Sequence, residues 1–98
     1  MSFKLSIKIS ANAKAEITEF LKKNDYKYMT CIYCRFIDNN KLIPSIGFRL
    51  FDERYKYKKL GKIVIIDDIE CIIDVDENNI DLIQNKTIVF ICDDFDFY

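Results

Sequence analysis

The sequence predicts an α+β domain in which a mostly antiparallel, twisted sheet or sandwich of about six strands packs against one main helix near the N-terminus. Three observations predict it. Phe3, Leu5, Ile7 and Ile9 alternate with polar residues, the period-two pattern of a strand with one buried face. Ala13, Ile17, Phe20 and Leu21 then recur at helical spacing and draw one apolar stripe. From Tyr28 onward, runs of β-branched and aromatic residues alternate with Asp- and Asn-containing turns.

The first strand is expected over 3–9. Ser10 offers its hydroxyl as an N-cap, and the helix is expected over 11–23. Lys22 and Lys23 place cations at the negative end of its dipole, and Asn24 suits a left-handed terminating turn. Residues 28–37 and 45–51 read as two antiparallel strands joined by the turn residues Asp38, Asn39, Asn40 and Lys41, with Pro44 in the loop. The basic, aromatic run at 54–59 reads as a solvated connecting loop closed by Gly61. A strand over 62–66, a turn at Asp67-Asp68, a strand over 70–75 and a short helical turn over 78–84 follow. The apolar succession Ile88, Val89, Phe90, Ile91 within 86–92 reads as a strand buried on both faces, ahead of an acidic tail. Ile32, Phe36, Ile46, Phe48, Leu50, Ile73 and Phe90 are the strand residues expected in the core.

Half of the 98 residues are hydrophobic. A chain of this size buries ~60–65% of its unfolded surface around one core. With 2 Gly and 1 Pro, no linker composition and no internal repeat, residues 1–98 read as a single domain. The alternating N-terminus lacks the apolar run of a signal peptide, and no stretch approaches the ~20 residues of a membrane span. A cytoplasmic protein with no membrane association is expected, its 4 cysteines reduced. Residues 1–62 hold 14 of the 15 Lys/Arg and 6 acids, whereas residues 63–98 hold one Lys and 10 acids. In one small domain such halves neutralise each other on the folded surface, and the acidic half argues against nucleic-acid binding.

Cys31-Ile-Tyr-Cys34 has the spacing of zinc and redox pairs, but on a strand the two side chains leave opposite faces with Cα atoms about 10 Å apart. One metal cannot take both, and a disulfide needs Cα atoms within about 7 Å. Cys34 falls in register with Ile32 and Phe36 as a core residue. Cys31 shares a face with Tyr33 and Arg35 and is expected to be partly exposed. Cys71 aligns with Ile73 and Val75 in the core, and Cys92 ends the last strand. With no His, no Gly-rich phosphate loop and no nucleophile beside a base, the chain is expected not to be an enzyme. Asp67-Asp68 and Asp93-Asp94 read as solvated turn residues.

Ile7-Lys8-Ile9-Ser10 with Ala13, Ile17, Phe20 and Leu21, the hairpin-like stretch from Val64 to Asp74, and Asn79 to Phe90 together resemble the HesB/IscA-like family of iron–sulfur cluster biogenesis domains. The first matches the family's opening strand and helix, the second its valine-x-aspartate-glycine-valine hairpin, the third its short helical turn and threonine-isoleucine-aspartate-phenylalanine strand. The resemblance is to short members, because the family's loop cysteine and C-terminal Cys-x-Cys have no counterpart here. It implies an accessory role in iron–sulfur cluster assembly or iron handling. No catalytic or cofactor residue carries over by position. The weak candidate metal ligands are Cys31 and Cys92, which could complete a cluster only across a homodimer interface, since a cluster usually takes four thiolates. The alternative is a non-catalytic interaction or structural domain that binds a protein partner on the same scaffold, without metal or cluster.

Overall fold

The computed structural model describes residues 5–38 and 40–98; Phe3 and Asn39, placed above in the first strand and first turn, lie outside the described residues. In chain order the elements are β1 (Ile7–Ile9), α1 (Ala11–Lys23), β2 (Tyr28–Ile37), β3 (Lys41–Leu50), a 3-10 turn (Phe51–Glu53), α2 (Arg54–Lys59), β4 (Ile63–Ile66), β5 (Ile69–Asp74), a second 3-10 turn (Glu77–Leu82), β6 (Lys86–Ile91) and β7 (Asp94–Phe97). The fold is α+β, as expected, but the seven strands of the described residues form two mixed sheets, ordered β1-β6-β7 and β3-β2-β5-β4. β2–β3, β4–β5 and β6–β7 pair antiparallel, whereas β1–β6 and β2–β5 pair parallel. The seventh strand comes from the acidic tail. Phe95 and Phe97 turn inward in alternation with Asp94 and Asp96, and Phe95 meets Phe90 edge-on at 5.0 Å.

α1 forms where its stripe predicts. Ser10 Oγ accepts from Ala13 N at 3.3 Å, and Ala13 and Ile17 are fully buried. The helix ends differently from expectation: Asn24 keeps a negative φ and its Nδ2 donates to Phe20 O at 2.8 Å, while Asp25 and Tyr26 take the left-handed positions. Phe20 stacks on Phe48 of β3 at 3.9 Å, pinning the helix to the four-stranded sheet. The main core draws Ile9 and Ile88 from one sheet and Ile32, Cys71 and Ile73 from the other.

The other face of the four-stranded sheet is also covered. The 54–59 run is a helix, not a solvated loop, and its Tyr57 lies buried against Met29, Cys31 and Ile72. Gly61, at φ 67, lets the chain leave the helix through a bond from Lys62 N to Tyr57 O at 3.0 Å. Arg54 clamps α2 to β5 through two parallel bonds to Glu70, 2.7 and 2.9 Å long.

The facing of β2 is as expected, Ile32 and Cys34 toward the main core and Cys31 with Tyr33 on the other side, but two-sided cover changes the expected exposure. Cys31 is wholly buried, Cys34 half-buried, and Phe36, at 68% exposed, lies beyond the covered centre of the sheet. Leu50, also expected inside, is exposed where β3 ends. β3 starts at Lys41 and contains Pro44, tolerable because β3 is an edge strand. In β6 only Ile88 is fully buried, since the three-stranded sheet packs one face on the core.

Ile17→Asp is expected to bury an unpartnered carboxylate at a cost of several kcal/mol, against a total stability of ~5–10 kcal/mol. It should abolish the cooperative circular-dichroism melt, and a variant melting like the parent would contradict the packing of α1. Arg54 holds the Glu70 carboxyl below its usual value of 4.5, with partial burial opposing. Because the folded value is the lower one, the pair's contribution is complete at neutral pH and is lost as the pH falls through that lowered value. Glu70→Gln should therefore cost about 0.5–1 kcal/mol at pH 7 and almost nothing near pH 2, in denaturant titrations at both pH values.

Candidate functional site

A groove of about 740 Å³ opens between the two sheets, where edge strand β1 faces edge strand β4. Apolar side chains stand along it, with Leu5 and Ile7 on one side, Val64 and Ile66 on the other, and Val75 and Ile80 beneath, but its exposed lining is as much polar as apolar. Its size falls within the ~300–1,000 Å³ usual for binding clefts. Asp67 closes one end. The Asp67-Asp68 turn takes positive φ at both residues, as a two-residue hairpin loop requires, and Asp67 Oδ2 accepts Ile9 N at 2.7 Å. The other rim carries Lys62, Asp76 and Glu77. Lys62 is bridged to Asp74 at 3.7 Å, while both Asp76 and Glu77 are exposed carboxylates.

Backbone direction adds to the lining. Ser10 N donates to Ile88 O on β6, so the Ile9 N–H, pointing the opposite way, reaches Asp67. N–H groups alternate along a strand, and Ile7 accordingly points its own into the groove. On β4, Lys62 O accepts from Ile73 N on β5 at 2.7 Å, so by the same alternation Val64 and Ile66 also face β5. Ile63 and Ile65 are left with donors and acceptors directed away from the sheet. Ile65 is 73% exposed.

The thiols do not gather. Cys31 and Cys71 sit on the neighbouring strands β2 and β5 but face opposite sides of the sheet, Cys31 toward Tyr57 and Cys71 toward the main core. Burial pushes the Cys31 thiol up to about 11 and that of Cys71 to about 12. The Cys34 thiol is also raised, again chiefly by burial. Cys92 is exposed in the β6–β7 turn on the other sheet, at φ 53. The two candidate ligands, Cys31 and Cys92, are thus on different sheets, one enclosed and one open. Among the described residues, no three His, Cys, Asp or Glu side chains form a cluster able to hold a metal ion. Asp94 and Asp96 each accept the following backbone N–H at 2.9 Å, a local bond that serves the strand.

The sequence marked β1 and β4 as strands, yet not as two edges of different sheets. The available signal was Ile63-Val64-Ile65-Ile66, an apolar run without the charge, proline or bulge that usually guards an edge. The chain matches no protein-family model and no curated protein.

Thiol reactivity should follow this placement. At pH 8 a thiol raised to about 11 is ionised in about one molecule in a thousand, and enclosure slows attack further. Iodoacetamide followed by peptide mass mapping is expected to modify Cys92 in native protein, and Cys31 and Cys71 only after denaturation. Labelling of Cys31 at the rate of Cys92 would contradict its enclosure.

Proposed function

We propose that this domain is a non-catalytic interaction module that engages a protein partner. The observation that carries the reading is the groove between β1 and β4, lined in part by apolar side chains and bordered by backbone groups with no strand beside them among the described residues. Two of the groove's charged side chains are spent on the fold, Asp67 tying the hairpin to β1 and Lys62 bridging Asp74, while Asp76 and Glu77 stay exposed as charges a partner could meet. Such modules add affinity through main-chain bonds and specificity through side-chain pockets.

The iron–sulfur accessory role implied by the sequence resemblance is the competing reading. It requires thiolates on open backbone. Two of the four thiols, Cys31 and Cys71, are fully buried and strongly raised, which leaves Cys92 as the exposed ligand of each chain. A bridged dimer would then supply two exposed thiolates where a cluster usually takes about four.

Anaerobic reconstitution with iron and sulfide, followed by gel filtration and iron analysis, separates the two. Colourless, iron-free protein is expected. A brown species that keeps about two or four irons per dimer, and loses them in Cys92→Ser, would replace the interaction reading with the carrier one.

A further inference from the structure

We infer that the groove takes one extended peptide strand, apolar in its alternate residues and basic at its ends, which pairs with the free edge of β4. The inference rests on the interaction-module reading and names its ligand. Three features select this occupant. Ile63 and Ile65 direct backbone donors and acceptors outward at the spacing of a β-ladder, so an extended chain satisfies them while a helix would not.

The far wall is the second feature. β1 stands across the groove from β4, and the two edges are already joined at one end by the Ile9–Asp67 bond. A strand that brought its own sheet would drive a neighbouring strand into β1. A single strand paired with β4 brings no such neighbour. This geometry excludes edge-to-edge pairing of two copies of the chain through β4 at the same depth.

Charge is the third. The charged groove residues are Lys62, Asp67, Asp76 and Glu77, three acids against one base, and Lys62 is neutralised by Asp74. The exposed Asp76 and Glu77 lie at the open rim, where the end of a bound strand would emerge. Side chains on one face of that strand enter the apolar floor of Val75 and Ile80, and those on the other lie beside exposed Ile65.

The probe is a fluorescein-labelled heptapeptide, Lys-Val-Thr-Val-Thr-Val-Lys, titrated by anisotropy against the protein, with Glu-Val-Thr-Val-Thr-Val-Glu as its acid-ended counterpart. Saturable binding of the basic probe is expected, weakened about tenfold or more in Ile65→Pro and for the acid-ended probe. Proline at 65 removes an outward N–H and no bond to β5, so the variant should melt like the parent. Should it fail to fold, amide shifts of the parent decide: the basic probe must move Ile7, Ile63 and Ile65. No saturable binding, equal binding by a folded Ile65→Pro, or shifts confined elsewhere would each overturn the strand assignment. Those failures in iron-free protein remove this ligand and leave the module reading in place, whereas cluster assembly removes the module reading itself.

Discussion

The parallel pairing of β2 with β5 at the centre of the four-stranded sheet is the constraint on which the rest of the molecule depends. Cys31, Ile32, Ile72 and Ile73 are buried side by side on these two strands, and consecutive residues face opposite sides. Both faces therefore need cover. α1 supplies one through Ala13 and Ile17, joined by the three-stranded sheet through Ile9 and Ile88. Six residues of α2 supply the other, with a single tyrosine, Tyr57, over Cys31 and Ile72. So short a helix is marginal alone, and it is held by Tyr57 burial and the Arg54–Glu70 fork.

The same constraint sets how much the sequence disclosed. Local patterns were legible: α1 occupies 11–23 with Ser10 as its cap, and the hairpin turn falls at Asp67-Asp68. Nonlocal coverage was not. In the pattern of residues 28–37 nothing shows that α2 will roof Cys31 and leave Phe36 open, because that follows from which distant segments pack above each position. The composition of residues 54–59, Arg-Tyr-Lys-Tyr-Lys-Lys, hid α2 for a similar reason: one buried tyrosine among cations carries little periodic signal, and its partners lie on β2 and β5. In the tail, Asp94-Phe95-Asp96-Phe97 does alternate with period two, but its net charge outweighed the alternation in the reading of that segment. The groove was the least legible feature. Its two walls are separated by more than fifty residues and belong to different sheets, so it exists only in the tertiary structure.

The opposed charges of the two halves of the chain have a structural role. Lys14–Asp68, Arg54–Glu70 and Lys62–Asp74 each join a cation from residues 1–62 to an acid from residues 63–98. Their exposure and their contribution differ. Lys14–Asp68, with Asp68 at 92% exposed, adds little, whereas the half-covered Arg54–Glu70 fork fixes the orientation of α2. Neutralisation across the chain is thus local and built around the hairpin β4–β5, which carries all three acids.

That hairpin also explains why the groove stays open. Asp67 accepts a positive φ and spends its carboxylate on Ile9 N, drawing β1 and β4 together at their C-terminal ends. From there β1 follows β6 in parallel register, whereas β4 follows β5, whose sheet carries its own twist. The two strands belong to different sheets and form no ladder with each other. Among the described residues, Val75 and Ile80 lie beneath them and no strand lies between them. Water satisfies the open backbone groups of the β4 edge, but the apolar side chains along the groove are costly to leave wet. An extended chain with apolar side chains on its inner face, the ligand inferred above, would cover those side chains and pair with the β4 edge in one step.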